Sequence, residues 1–240
     1  MTEQRTVVIT GAGTGIGAAC ARLYAQEGAR LVLIGRRRAP LEQVAQDTGG
    51  LILVGDAACP QTWDGFIHQI REQHGRLDVL LACAGGHGLG SATQTSPTTW
   101  ESALRSNLDS AFYSARACLP LLQESAGNIV LIGSIAALAA GPEVCGYTTA
   151  KHALLGLSRS LARDYGPDNI RVNAIAPGWI MTRRQLDLWV TPEAKTAQLG
   201  AQCLKELLYP PDIARMVLWL AADDSRMVTA QNFVVDGGRM

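Results

Sequence analysis

The chain predicts an α/β fold: a single doubly wound, parallel sheet of about seven strands with helices on both faces. Three observations predict it. Short runs rich in Val, Ile and Leu alternate with longer stretches of helical pattern. The runs are nearly continuous in hydrophobicity, as strands covered on both faces are. Strand–helix alternation implies parallel pairing through right-handed crossovers.

Taken in order, Thr6–Thr10 reads as the first strand and Ile16–Glu27 as the first helix. Strands follow at Arg30–Gly35, Leu51–Gly55 and Asp78–Ala82, separated by helices at Leu41–Gln46 and Trp63–His74. A long helix over Thr98–Glu124 leads to a strand at Asn128–Gly133, and one over Gly146–Tyr165 leads to Arg171–Ala176. Pro211–Ala222 reads as the last helix and Asn232–Val235 as the last strand. Thr182–Leu208 has mixed polarity and exceeds what a plain connection needs. It is expected to be helical and to cover a ligand crevice at the carboxyl end of the sheet. Linkers, repeats and low-complexity stretches are absent, so residues 1–240 are expected to form one domain with a lid at about 182–208.

Composition narrows the function classes. Hydrophobic residues at 48% and charged residues at 18% fit a packed core rather than disorder. Formal net charge is zero, so nothing favours a nucleic-acid partner. No apolar run is long enough to span a bilayer, and the N-terminus runs into a strand without a signal-peptide core. The cysteines Cys20, Cys59, Cys83, Cys118, Cys145 and Cys203 are scattered and form no ligand cluster with His68, His74, His87 or His152. Reduced thiols in a cytoplasmic protein without a metal are expected.

Thr10-Gly11-Ala12-Gly13-Thr14-Gly15-Ile16-Gly17 links the first strand to the first helix. Glycines there let the backbone approach a pyrophosphate, and the helix N-terminus offers free N–H groups. The second strand ends in Gly35-Arg36-Arg37-Arg38, where NAD-binding chains place an acid for the ribose hydroxyls. A guanidinium suits a 2′-phosphate instead, and charged hydrogen bonds of ~1.5–3 kcal/mol give about tenfold to a hundredfold preference for NADP over NAD. Arg36 is the first candidate and Arg37 the second. Asp56 suits the adenine amino group, or a plain turn cap.

Tyr147 and Lys151 stand four residues apart, on one face of a helix. A cation beside a phenol favours the phenolate, which makes the pair a candidate for proton transfer near neutral pH. Ser134 and Asn107 precede them.

With these residues in place, the whole chain resembles the short-chain dehydrogenase/reductase family. The match runs through Thr10–Gly17, Asp56, Asn107, Ser134, Tyr147, Lys151, Pro177-Gly178, Thr182 and Asp236-Gly237-Gly238. The resemblance implies a Rossmann-type fold and hydride transfer between nicotinamide and an alcohol or carbonyl. Tyr147 would be the general acid/base, Lys151 would lower its pKa and hold the ribose, and Ser134 would polarise the substrate oxygen. Asn107 would fix a relay water. Gly11, Thr14, Gly15, Ile16, Gly17, Arg36, Arg37, Asp56, Ala57, Ala84, Gly85, Tyr147, Lys151, Pro177, Gly178, Ile180 and Thr182 would hold the cofactor. A homotetramer is expected. One departure stands out: the family's Asn-Asn-Ala-Gly is Ala82-Cys83-Ala84-Gly85 here. Weaker local fastening and a mobile Gly86–Gly90 are expected.

The tail from Trp179 onward is similar to the aldose 1-dehydrogenases. Ser134, Glu143, Tyr147, Trp179, Arg183 and Gln185 are the substrate candidates, with Gln202 and Trp189 as further ones; a polyol needs several hydrogen-bond partners and a flat apolar face. Oxidation of an aldose to its lactone is the first expectation. A general carbonyl or 3-oxoacyl thioester reductase is the second, and a non-catalytic nucleotide-binding regulator the third.

Overall fold

The computed structural model describes residues 4–86 and 88–240. Seven strands form one parallel sheet in the order β3-β2-β1-β4-β5-β6-β7. They are β1 Thr6–Thr10, β2 Arg30–Gly35, β3 Leu51–Val54, β4 Val79–Ala82, β5 Asn128–Ile132, β6 Arg171–Pro177 and β7 Asn232–Val235. Each lies within a residue of its expected bounds.

Alternate side chains of each strand feed two separate cores, as the pleat requires. On one face Val8, Leu80, Leu131 and Val172 pack with α3 (Pro60–His74), α5 (Ser110–Ser125) and α6 (Cys145–Tyr165). On the other, Val7, Ile9, Leu81 and Ile175 pack with α1 (Gly15–Gln26), α2 (Arg38–Thr48) and α9 (Pro210–Ala221). Pro60 opens α3 and Pro210 opens α9, at the helix position where a missing N–H costs nothing.

Two expectations need revision. The helix expected over Thr98–Glu124 is broken into α4 (Pro97–Leu104), a π-turn over Arg105–Asp109, and α5. Hydrophobic spacing does not register such a turn, because it adds one residue without changing the face that packs. The lid contains two short helices, α7 (Arg183–Leu188) and α8 (Pro192–Ala201). Thr182 and Thr191 cap them by accepting from the N–H groups of Gln185 and Ala194. No helix among the described residues is long and apolar enough to cross a membrane.

Buried polar groups fix where the strands begin. Asp78, before β4, accepts the Thr6 N–H at 2.8 Å and also takes the Arg76 guanidinium. Asn128 opens β5 and donates to the Leu220 carbonyl of α9 at 3.0 Å. Replacing Asp78 by Ala leaves the Thr6 donor buried without a partner. Stability is expected to fall by about 1–3 kcal/mol, read as a lower urea midpoint at unchanged slope.

Candidate functional site

Strand order turns back between β1 and β4, and a cavity of about 710 Å³ opens there at the carboxyl ends of the strands. The glycine loop forms its floor. Gly11 and Gly15 have φ of +70° and +55°, a region that side chains rarely adopt. A Cβ on Gly17 would lie 2.4 Å from the Gly11 carbonyl oxygen, so nothing larger than glycine fits. Thr14 caps α1 without a side-chain bond, and the first turn holds no acid. Apart from the Gly17 N–H, which meets the Cys83 sulfur, no side chain occupies the helix N-terminus, a setting suited to a pyrophosphate.

The end of the cavity beside β2 is walled by Gly35, Arg36, Arg37, Pro40 and Asp56. Asp56 Oδ1 accepts the Ala58 N–H at 3.0 Å, while Oδ2 pairs with Arg105 at 2.8 Å. Burial pushes this carboxyl up. The Ala58 N–H, the Arg105 guanidinium and the charge of Arg36 more than offset that and hold it below the ordinary range. Asp56 thus serves as turn acceptor and ion-pair partner at once. Sequence reading missed Arg105: only the π-turn that displaces it toward Asp56 gives it a role. Ala57, beside Asp56, is buried and its carbonyl accepts the Trp63 indole N–H at 3.0 Å.

The Ala82-Cys83-Ala84-Gly85 stretch is held more firmly than its lost asparagines suggest. The Thr10 hydroxyl accepts both the Cys83 and the Ala84 N–H at 3.1 Å. Asn107 Oδ1 accepts the Gly86 N–H at 3.2 Å, and Gly90 donates to the Glu143 carbonyl at 2.8 Å. The expected mobility of Gly86–Gly90 is met at both ends by these bonds; His87 lies outside the described residues. Thr10 stood in the motif all along without an assigned part. Burial pushes the Cys83 thiol up to about 11, so it stays neutral.

Asn107 is buried within the π-turn, and Nδ2 donates to the Ala103 carbonyl at 2.9 Å and to Ser106 Oγ at 3.1 Å. Both ends of its amide are engaged by protein. That side chain fastens the turn to the loop that follows β4.

Tyr147, Ser134 and Lys151 come together at the inner end of the cleft. Gly85 links them to the cavity: a Cβ there would lie 3.5 Å from Lys151 Nζ and 2.9 Å from Asn107 Oδ1. Lys151 is buried, donates to the Ile132 carbonyl at 2.8 Å, and lies 5.8 Å from the Tyr147 ring centre. Burial pushes its ammonium down to about 8, so it keeps its charge at neutral pH. Burial likewise raises the Tyr147 phenol, and the hydrogen bond from Ser134 pulls the other way. Ser134 Oγ accepts the Ala136 N–H at 3.1 Å, which leaves its own proton to donate to the phenol. Ser134 thus pulls the phenol down, and the Lys151 ammonium stands on the same side of the helix.

Pro177 ends β6, and Gly178 donates to the Val235 carbonyl at 2.9 Å. Gly178 has no room for a Cβ, which would meet Asp236 at 2.8 Å. Ile180 is buried, and Thr182 lies against Gly15 at the cavity wall. The substrate candidates divide. The Trp179 indole donates to Gln185 Oε1 at 2.7 Å, and Glu143 is exposed at φ +57°. Gln202 is buried, donating to the Leu204 and Glu206 carbonyls and accepting from Gln198, so it is a lid strut rather than a ligand. Trp189 packs against Arg184. Arg183 lines the nucleotide cavity. Among the described residues, no group of three or more His, Cys, Asp or Glu could hold a metal.

A switch-point cavity floored by glycine and a half-buried phenol at its inner end describe a class, the dinucleotide-dependent oxidoreductases. Comparison with known proteins narrows the class. The family model described as enoyl-(acyl carrier protein) reductase matches residues 11–239. Protein MoaE of Klebsiella aerogenes is 42% identical, over 98% of this chain and 95% of its own. The "Probable galactose dehydrogenase GalD" of Rhizobium meliloti (strain 1021) is 36% identical over the same shares. A crystal structure of a short chain dehydrogenase from Bacillus anthracis superposes with a TM-score of 0.88 at 30% identity, over 98% of this chain and 96% of that one. The chain belongs to the short-chain dehydrogenase/reductase family. It is an NAD(P)-dependent oxidoreductase acting on CH–OH groups of a small molecule.

The glycine floor yields a direct test. Gly17→Ala is expected to abolish NAD(P)H binding, followed by cofactor fluorescence, with helix content retained by circular dichroism. Binding at wild-type strength would mean that the loop has room the structure does not show.

Proposed function

We propose that this enzyme oxidises an aldose at C1 to its lactone and prefers NADP to NAD. The observation that carries the sugar reading is full-length likeness to a probable galactose dehydrogenase, together with a lid whose Trp179 and Gln185 form one polar–aromatic unit. NADP preference rests on Gly35 standing where an acid would read the ribose, with Arg36 and Arg37 in the same cavity wall.

In this reading the glycine loop, Thr14 and the α1 N-terminus hold the pyrophosphate. Asp56 and Ala57 flank the adenine, while Ala84, Gly85, Pro177, Gly178, Ile180 and Thr182 border the nicotinamide ribose and ring. The bound dinucleotide supplies the hydride acceptor. Tyr147, as the phenolate, takes the proton of the C1 hydroxyl as the C1–H bond breaks, and once substrate is bound Ser134 turns its single proton from the phenol to that same oxygen. Lys151 keeps a positive charge beside the phenolate that must be present before the proton is taken. Asn107 acts as a positioning residue through Gly86. Six free cysteines support a reducing, cytoplasmic setting. Exposed Phe112 on α5 supports association of subunits through α5 and α6 in a homotetramer.

A panel of aldoses offered with NADP⁺ and NAD⁺ is expected to show turnover with at least one sugar, faster with NADP⁺. Tyr147→Phe should lower that turnover by about 10²–10⁴-fold while cofactor still binds. Reduction of 3-oxoacyl thioesters without oxidation of any aldose would overturn the sugar reading.

The pH profile tests Ser134. Oxidation needs the phenol deprotonated, and Ser134 lowers its pKa. Ser134→Ala raises that pKa, so the ascending limb of kcat/KM should move to higher pH as well as losing height. A limb that falls in height but stays in place would remove Ser134 from this tuning.

A further inference from the structure

The lid carries its charges in the order a helix disfavours. Arg183 and Arg184 open α7 and Asp187 lies near its end, against the dipole. Arg183 pairs with Asp187 four residues on, at 2.8 Å, with the cation at the N-terminal side, which is the weaker order for such a pair. The Arg183 side chain is 89% exposed, so the pair adds little to stability. Local structure gives no reason for a guanidinium here.

The cavity gives one. Arg183, Arg184 and Asp187 line the same space as Arg36, Arg37 and the glycine loop. Of the other charges there, Asp56 holds Arg105, and Arg184 packs on the Trp189 ring at 5.9 Å. Arg36 and Arg37 follow β2, on the adenosine side. Arg183 follows Thr182, which lies against Gly15 at the start of α1. Arg183 therefore adjoins the residue that meets the glycine loop, while Arg36 and Arg37 belong to the β2 end of the same cavity.

We propose that Arg183 is a cofactor-binding residue supplied by the lid: its guanidinium leaves Asp187 and pairs with the dinucleotide pyrophosphate, drawing α7 onto the cofactor. The exchange replaces an exposed carboxylate partner with a phosphate that a planar guanidinium engages through two hydrogen bonds. It rests on the dinucleotide reading of the cavity and assigns Arg183 to the cofactor instead of the sugar.

Direct titration of NADPH and NADH, followed by fluorescence and without any substrate, tests it. Arg183→Ala is expected to weaken both dinucleotides by about tenfold, because both share the pyrophosphate. Asp187→Asn, which breaks the same ion pair, should tighten both. Arg36→Ala should weaken NADPH alone. Unchanged affinities in Arg183→Ala, or a loss confined to NADPH, would overturn the assignment. So would weakened binding in Asp187→Asn, which would show that the pair merely holds the lid together. A wild-type chain that binds neither dinucleotide would overturn the reading of the cavity itself, and this inference with it.

Discussion

At the carboxyl edge of the sheet, β1 and β4 lie side by side while the chains that leave them diverge. β1 turns into α1 through a loop too tight for any side chain at Gly17. β4 runs the other way, toward the π-turn and α5. The space between the two exits is the cleft, and its width depends on one hydroxyl. Thr10 ends β1 and accepts two N–H groups from the chain leaving β4. That bond pair sets how closely the glycine loop and the Gly85 segment face each other. Asn107, Lys151 and Tyr147 are all built outward from that segment.

Burial governs the chemistry more than pairing does. Removing Lys151 and Tyr147 from water penalises both charged forms, so each titrates closer to its neutral state than an exposed residue would. The lysine still holds its proton at pH 7. The phenol holds its proton too, and its readiness to lose it depends on the Ser134 hydrogen bond and on whatever charge a ligand brings. A site of this kind is quiet when empty of ligand. The neutral Cys83 thiol, standing where relatives of this family carry an amide, adds no charge to it.

Strands and most helices were legible because burial on two faces leaves an unbroken apolar signature, and each run ends at a turn residue. The glycine loop was legible for a different reason: only a close backbone approach requires that many glycines between a strand and a helix. Positions of side chains that act across the fold were not. Arg105 meets Asp56 over a gap of 49 residues, and nothing local marks the encounter. Gln202 looks like a sugar ligand by type, yet its amide is consumed by the carbonyls of Leu204 and Glu206. Arg183 lines the same cavity as the glycine loop, which its place in the lid does not reveal. The lid borders two compartments, and sequence order does not say which residue faces which.

The π-turn over Arg105–Asp109 amounts to a single extra residue carried within a helix. Its removal by a one-codon deletion would restore regular α-helix and improve the local hydrogen bonds. It would also take away the widened turn in which these side chains sit. Asn107 would then leave Gly86, and Arg105 would leave Asp56. The helix between α4 and α5 is therefore intolerant of deletion, though its surface would accept many substitutions.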